Sequence, residues 1–534
     1  MATAIAGAAN DLVIDAKRDR LVIFASSLGT IFEWYDFFVY GTVATVIAKL
    51  FFPSANPTAG LLLTFATFGA GFGVRPLGAI LFGWLGDRLG RKYTFLITIS
   101  LMGFATTAVG LIPPFATLGV AAPALLVFFR LLQGLALGGE YGGAAIYVAE
   151  HAPADKRGFY TGFIQASVIG GFLLSVAVVL VSNRFVDPRQ WEAWGWRIPF
   201  LFSLLLLAVS LWVRLKLRES PVFKAMKEAG ETARNPLKES FDSWAKWKLI
   251  LVALFGIAAG LTVIWYTAQF QGLYFLQNAL HIEDNSARLM IGIAAAASVF
   301  WFVLFGWLSD KVGRKKPIVI GYALTIVLMF PLFHWMAAAA NPELSAAMQR
   351  SPVVVTGSDC RFDPFAKVQP TACGKVLDAL SKKGVGYRKA EGAPGSAPIV
   401  TIGSAPVDAA DPKALDAALK SAGYPLQKIV PPPSRAWQIV LAIVIIGMLS
   451  GMTYGPVAAL LVELFPARVR YTSLSVPYHI GTGYFGGFLP FISQYIVART
   501  GDPFAGIWYT VAVVAMAFVV TLFWLPETAG KELA

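Results

Sequence analysis

Residues 83–92 read GWLGDRLGRK, and residues 306–316 read GWLSDKVGRKK. The two stretches start 223 positions apart, and each follows a long apolar run. A second pair of matches keeps the same order. In YVAEHAPADKRG, Glu150 stands seven residues before Arg157 with Pro153 between them; in LVELFPARVR, Glu463 stands seven before Arg470 with Pro466 between them. Glu150 follows Asp87 by 63 residues, whereas Glu463 follows Asp310 by 153. The surplus of 90 matches the length of one polar segment in the second half. With that segment set aside the halves align, so the chain reads as two repeats.

Composition says what the repeats are made of. Of 534 residues, 57% are hydrophobic and only 14% charged. Soluble domains run nearer half apolar and a quarter charged. Apolar runs of 18 or more residues recur, each long enough to cross a hydrocarbon core of about 30 Å. The pattern predicts an all-α membrane protein with twelve transmembrane helices arranged as two six-helix repeats. The spans fall near 21–48, 60–84, 93–112, 121–149, 159–182 and 196–215, then 247–277, 288–309, 317–338, 437–463, 473–498 and 505–525. Parallel six-span repeats about an axis along the membrane normal are an architecture of secondary transporters.

The net charge of +13 could suggest nucleic acid, but its distribution points to topology and no nucleic-acid partner. Lys and Arg crowd alternate loops: Arg88, Arg91 and Lys92; Lys156 and Arg157; Lys311, Arg314, Lys315 and Lys316; Arg468 and Arg470. Nine more lie between Arg214 and Lys248. Positive loops face the cytoplasm. Both termini, 1–20 and 526–534, are therefore expected inside, with 216–246 a basic cytoplasmic linker between the bundles 21–215 and 247–338 plus 437–525. No cleavable-signal pattern precedes the first span. The setting expected is the inner membrane of a bacterium, with the lipid bilayer, a small-molecule substrate and protons as partners and a monomer as the default assembly. Trp191, Trp194, Trp196, Trp244, Trp247 and Trp437 read as interfacial anchors.

Residues 339–436 form a small exterior loop domain between helices nine and ten. KVLDALSKKGVGY and KALDAALKSAGY within it read as amphipathic helices. Its Cys360 and Cys373 are the chain's only cysteines, and an oxidising exterior would let them pair.

The decapeptide, weakly repeated between spans eight and nine, resembles the signature of the major facilitator superfamily, and RLLQGLALGG (130–139) resembles that superfamily's fourth-helix motif. FEWYDFFVYG (32–41), GGEYGGAAIYVAE (138–150), RGFYTGFIQ (157–165) and VPYHIGTGYFGGFLP (476–490) resemble the metabolite:proton symporter family. The resemblance implies uptake of organic acids such as 2-oxoglutarate, citrate or shikimate, or of zwitterionic osmolytes such as proline and betaine. It also implies a proton-coupling role for Arg130. It says nothing about the long insert.

Charges inside spans are costly and mark function. Glu33 and Asp36, three apart on one helix face, form a candidate proton-coupling pair. Two carboxylates in low dielectric resist joint ionisation. Arg75 and Arg130, each within a span, are candidate substrate ligands, since Arg grips a carboxylate bidentately. The competing reading pairs them internally with Glu33 or Asp36. In the second half the interior polar groups are uncharged, and Tyr266, Gln269 and Tyr478 are the candidates for orienting a substrate. Asp87, Arg91, Glu150 and Arg157, with Asp310, Arg314, Glu463 and Arg470, are expected to form a cytoplasmic gate, because a carboxylate such as Asp87 adds nothing to a positive-inside signal. No phosphate-binding G-x-x-x-x-G-K-[ST] loop, zinc spacing or G-x-S-x-G elbow occurs. Neither enzyme activity, a metal nor a cofactor is expected. An ion gradient remains as the driving force, with proton-coupled symport of a small organic acid as the expected activity. An osmolyte cargo and a receptor without turnover are the alternatives.

Overall fold

The structure is a computed structural model. It describes residues 16–53, 57–89, 91–139, 142, 145–146, 148–149, 152–215, 236–366, 368–407, 411–466, 469–531 and 533, and among these the side chains of all but 16–27, 83–84, 86–89, 91–95, 213–214, 236 and 412. The linker 216–235 and the side chains of Asp87, Arg91, Glu140 and Glu150 thus lie outside the described residues.

Eight described helices are long and apolar enough to cross a membrane: Pro57–Phe82, Ala154–Phe185, Gly195–Trp212, Trp244–Ala279, Asp284–Val312, Lys315–Ala340, Pro433–Leu464 and Ile507–Trp524. Leu96–Leu111 and Ala121–Leu137 are shorter apolar helices. The protein is an all-α membrane protein in its spanning body. Ala16–Thr42 packs along Arg157–Phe185, which in turn packs along Asp284–Val312 and so joins the two halves. Pro57–Gly73 makes a second junction against Gly481–Gly487 and Leu489–Thr500. Trp244–Ala279 has 83% of its apolar window buried, so it runs through the middle of the bundle rather than along lipid. It alternates α and π turns, with π segments at Val252–Ala258, Thr267–Gln271 and Phe275–Ala279. Such widened turns often sit at functional sites.

Two expected anchors are core residues instead. Trp191 and Trp196 are buried, and Trp196 meets Phe51 and Phe200 edge-on at 5.6 and 5.9 Å. Trp194, Trp244, Trp247 and Trp437 are exposed.

Between Ala340 and Pro433 the chain folds into a unit with its own core. The two amphipathic segments are helices, Ala372–Lys382 and Pro412–Ser421. Pro342–Arg350 precedes them. The unit also carries a sheet that the sequence reading did not foresee. Its strands are β1 (Val353–Gly357), β2 (Arg388–Glu391), β3 (Ile399–Ile402) and β4 (Ala405–Val407), in the order β2-β1-β3-β4. Ala372–Lys382 is the crossover between the parallel pair β1 and β2, and the other pairings are antiparallel. Val353 and Val355 of β1 pack with Leu377, Leu380, Val400, Ile402, Leu415 and Leu419. Cys360 and Cys373 are joined by a disulfide, with Cα atoms 4.9 Å apart.

Candidate functional site

The centre is built by glycines that let helices nearly touch. A Cβ on Gly134 would lie 1.6 Å from the Gly71 carbonyl oxygen, and one on Gly138 2.1 Å from that of Arg75. Gly134 and Gly138 form a small-xxx-small stripe, the usual device for close helix approach in membranes. Pro76 has no N–H to donate back to Phe72, so the helix Pro57–Gly73 ends and Arg75–Leu89 restarts there. Arg75 stands at that break.

Arg75 is fully buried. Its guanidinium lies 5.3 Å from the ring centres of both Trp34 and Phe72, and Nη1 donates to Thr482 Oγ1 at 3.5 Å. Its field reaches Tyr266, Tyr454 and His479, which come from three other helices. Tyr454 in turn interacts with Tyr478. Tyr266 is edge-on to Phe72 at 5.5 Å and feels both Arg75 and Arg130. The structure therefore gathers Arg75, Tyr266 and Tyr478 around one region. Tyr454 and His479, which are not among the candidates read from the sequence, lie in the same region. The ring nitrogens of buried His479 meet no hydrogen-bond partner among the described residues. Gln269 sits one turn beyond Tyr266 on the π segment Thr267–Gln271, buried, with Oε1 unpartnered among the described residues.

Arg130 is held differently. It lies 4.1 Å over Phe37 and 4.6 Å over Tyr40, and Nη1 donates to Gln133 Oε1 at 2.6 Å and to the Phe37 carbonyl at 3.3 Å. Gln133 is fixed in turn by donating to Thr106 Oγ1 at 2.7 Å. Arg130 Nε and Nη2 meet no partner among the described residues. Ring faces attract a desolvated guanidinium. Glu33 and Asp36 are both buried on the helix Ala16–Thr42, and Asp36 Oδ1 meets no hydrogen-bond partner among the described residues.

The second copy of the decapeptide closes one end of the bundle. Gly306 abuts Gly158 so tightly that a Cβ on either would lie 2.4 Å from the other's carbonyl oxygen. Asp310 accepts from the backbone N–H of Gly158 at 2.7 Å and of Phe159 at 2.8 Å, capping the helix Arg157–Phe185 of the other half. Free N–H groups at a helix start favour such an anion. Arg314 pairs with Asp310 at 2.5 Å and with Glu463 at 3.0 Å; Arg157 reaches the same Glu463 from the first half at 2.9 Å. Arg470 instead donates Nε to the Phe465 carbonyl at 3.0 Å.

Comparison with known proteins gives this arrangement a family. The profile of "Sugar (and other) transporter" matches residues 21–251 and 423–534. The chain belongs to that family, within the major facilitator superfamily. The shikimate transporter of Escherichia coli K12 is 38% identical over 61% of this chain and 74% of its own. The glycine betaine/proline/ectoine/pipecolic acid transporter OusA of Dickeya dadantii is 37% identical over 60% of this chain and 65% of its own length, so just under two thirds of that relative is matched. The proton:xylose symporter XylE, bound to 6-bromo-6-deoxy-D-glucose, superposes with a TM-score of 0.63 at 17% identity, covering 96% of this chain and 97% of its own. That likeness concerns the fold. The family profile leaves 252–422 unmatched, a stretch that includes all four strands and the three helices of the insert.

Two further devices in this family member escaped the sequence reading. The segment after the last long helix folds back on the decapeptide end. Thr528 Oγ1 donates to Glu463 Oε2 at 2.8 Å, and Arg157 donates to the Lys531 carbonyl at 3.3 Å. Glu527 accepts from the N–H groups of Arg314 at 2.8 Å and Lys315 at 3.2 Å. Burial pushes the Glu527 carboxyl up, but the backbone N–H groups of Ala529, Arg314, Lys315 and Thr528 outweigh it and hold it below the ordinary glutamate range. The sequence signal was an acid just beyond an apolar run.

At the opposite end, the first helix breaks at Val43 (φ −111°, ψ 20°). The carbonyls before the break accept from the other half: Tyr274 Oη donates to Gly41 O at 3.0 Å, and Arg288 Nε to Thr42 O at 3.1 Å. Arg288 Nη1 and Asn183 Nδ2 both donate to Asn285 Oδ1, at 3.0 and 2.9 Å. Arg288 is buried. Hydrogen bonds or ion pairs thus join the two halves at both ends.

Proposed function

We propose that the protein is a secondary active transporter of the bacterial inner membrane that carries a small organic acid together with protons by alternating access. One observation carries this reading: a fully buried guanidinium, Arg75, framed by the rings of Trp34 and Phe72 and donating to Thr482 Oγ1. A permanent positive charge in a desolvated, aromatic-walled centre suits a carboxylate, which it binds bidentately. Gln269 and Tyr478 orient the rest of the molecule. Glu33 and Asp36 carry the proton, and Arg130, fixed by rings and Gln133, supplies the field that sets when they release it. The decapeptide end, with Asp310, Arg314, Glu463, Arg157 and Arg470, faces the cytoplasm and forms the inner gate; Asp87, Arg91 and Glu150 serve the repeat-related half of it. The protein works as a monomer.

A second reading has its own support. Trp34, Phe72 and Tyr266 surround the guanidinium, and rings also stabilise quaternary ammonium groups. A zwitterion such as betaine or proline offers the same carboxylate to Arg75 and a cation to the rings. OusA, a transporter of such compounds by its name, is 37% identical over the matched part.

Uptake into proteoliposomes tests both. Labelled shikimate, citrate, 2-oxoglutarate, proline and betaine are offered under an inward proton gradient, with and without a protonophore. Accumulation of an acid that collapses with the protonophore is expected. Accumulation of betaine or proline alone moves the second reading forward, and binding without flux overturns both.

A further inference from the structure

The insert at 341–432 is bound to the two halves of the bundle in unequal ways. To the second half it is joined by main-chain bonds. Ile429 N donates to His281 O at 2.8 Å and Glu283 N to Ile429 O at 2.9 Å, so the chain beyond Pro412–Ser421 pairs with the loop after Ala279 as a short parallel bridge. Tyr387 N donates to Gly501 O at 2.9 Å, and its ring lies against Gly501, where a Cβ would come within 2.4 Å. Lys389 Nζ donates to Arg499 O at 2.7 Å, Arg499 Nη1 to Phe362 O at 3.0 Å, and Lys428 pairs with Asp284. To the first half it is joined by side chains. Thr58 Oγ1 and Ser381 Oγ lie 3.1 Å apart, and Leu62 is fully buried within the insert's own apolar core. Thr58 and Leu62 begin the helix that leads down to Phe68, Phe72 and Arg75.

We propose that the insert is a lid on the entry end of the transport path, carried rigidly by the second half and closed by the seating of Leu62 and Thr58 against the helix Ala372–Lys382. It goes beyond the transport reading and rests on it for the motion concerned. In alternating access the two halves separate at one end and then at the other. Main-chain pairing at several points makes the insert follow the second half. A side-chain contact between hydroxyls and one leucine is what a repeated separation can break and remake. The insert thus adds a contact that must open before the polar closure at Thr42, Tyr274 and Arg288 is reached. The disulfide braces this lid. It ties Cys360 to the start of Ala372–Lys382, and so joins the Phe362 loop, which bonds Arg499, to the helix that carries Ser381.

Two readouts test the lid on the full-length protein. The first is a disulfide between Thr58→Cys and Ser381→Cys. The chain's two native cysteines are already bonded to each other, so the new pair stands alone. Oxidation is expected to form the cross-link and to cut flux of labelled shikimate or betaine at least tenfold, with recovery on mild reduction and no change in wild type under the same reductant. Cross-linked protein that moves either probe at the reduced rate overturns the lid. The second readout needs no flux. Spin labels at Lys49 and Lys420 span the lid and the first half; labels at Lys420 and Trp508 span the lid and the second half. Two distance populations are expected for the first pair and one for the second. One population for the first pair, or two for the second, overturns the proposal. If neither wild type nor the reduced variant moves any probe, the transport reading fails by itself, and the distance distributions still decide the lid.

Discussion

The two ends of the bundle are closed by different chemistry. At the decapeptide end, full charges cross between the halves: Glu463 lies between Arg157 and Arg314, and Asp310 caps the partner half's helix. At the insert end, a helix break offers carbonyls to Tyr274 and Arg288, and a folded unit leans across on Leu62. Side-chain exposure of 0% for Glu463, 5% for Arg157 and 1% for Arg314 decides how the first end behaves. Buried ion pairs are near neutral while complete and costly once one member is lost. Such a lock is all-or-none. The insert end is an assembly of modest neutral contacts plus one guanidinium, Arg288, and the neutral contacts can fail without stranding a charge. The difference predicts a stiff closure at the decapeptide end and a graded one at the insert end.

Breaking the stiff lock should give the largest effect. Glu463→Gln takes from buried Arg157 the carboxylate it pairs with and leaves Arg314 with Asp310, and is expected to cost about 3–5 kcal/mol, read as a large drop in thermal midpoint in detergent. It should also raise the labelling of cysteines placed near Gly158. A midpoint within 1 °C of wild type contradicts the buried-lock description. Next comes the centre: Arg75→Lys keeps the charge but loses the fork, and truncating one partner of a desolvated pair is worth about 2–5 kcal/mol. Substrate affinity should fall by at least tenfold with folding intact, and equal affinity removes Arg75 from the site. Arg288→Met comes third. It removes a charged hydrogen bond, worth about 1.5–3 kcal/mol, and should shift the spin-label pair Lys49–Lys420 toward its longer distance. Tyr274→Phe removes one neutral bond, worth about 1 kcal/mol, and should do the same less. The smallest effect concerns pH. Glu527 is held below its ordinary range, so its stabilisation is complete above that range and is lost as pH falls through the lowered value. Thermal midpoints of wild type and Glu527→Gln should differ at neutral pH and converge as pH falls through the lowered value; a constant difference rules this out.

The same contrast explains what was legible. Charges repeated at fixed spacing announce themselves, so the pairs around Asp310, Arg314 and Glu463 could be anticipated from one line of sequence. Buried arginines in apolar runs are equally visible, which is why Arg75 and Arg130 were found, although their ring partners were not. Backbone features are silent. Nothing in the residues around Val43 marks a break whose carbonyls hold Tyr274 and Arg288. The sheet of the insert was missed because β2 and β4 are three or four residues long and largely exposed, too short for alternation to register. The fold-back of Glu527 and Thr528 depends on tertiary contact with Glu463 and Arg314, which local pattern does not encode.

Proton coupling through the first helix is the central claim, and the most direct measurement separates exchange from accumulation in Asp36→Asn. Wild type in proteoliposomes should both exchange labelled for unlabelled substrate and accumulate it under an inward proton gradient. Asp36→Asn should keep exchange and lose accumulation, because the path remains while the proton carrier is gone. Accumulation at the wild-type level by Asp36→Asn, and by Glu33→Gln beside it, would contradict the account.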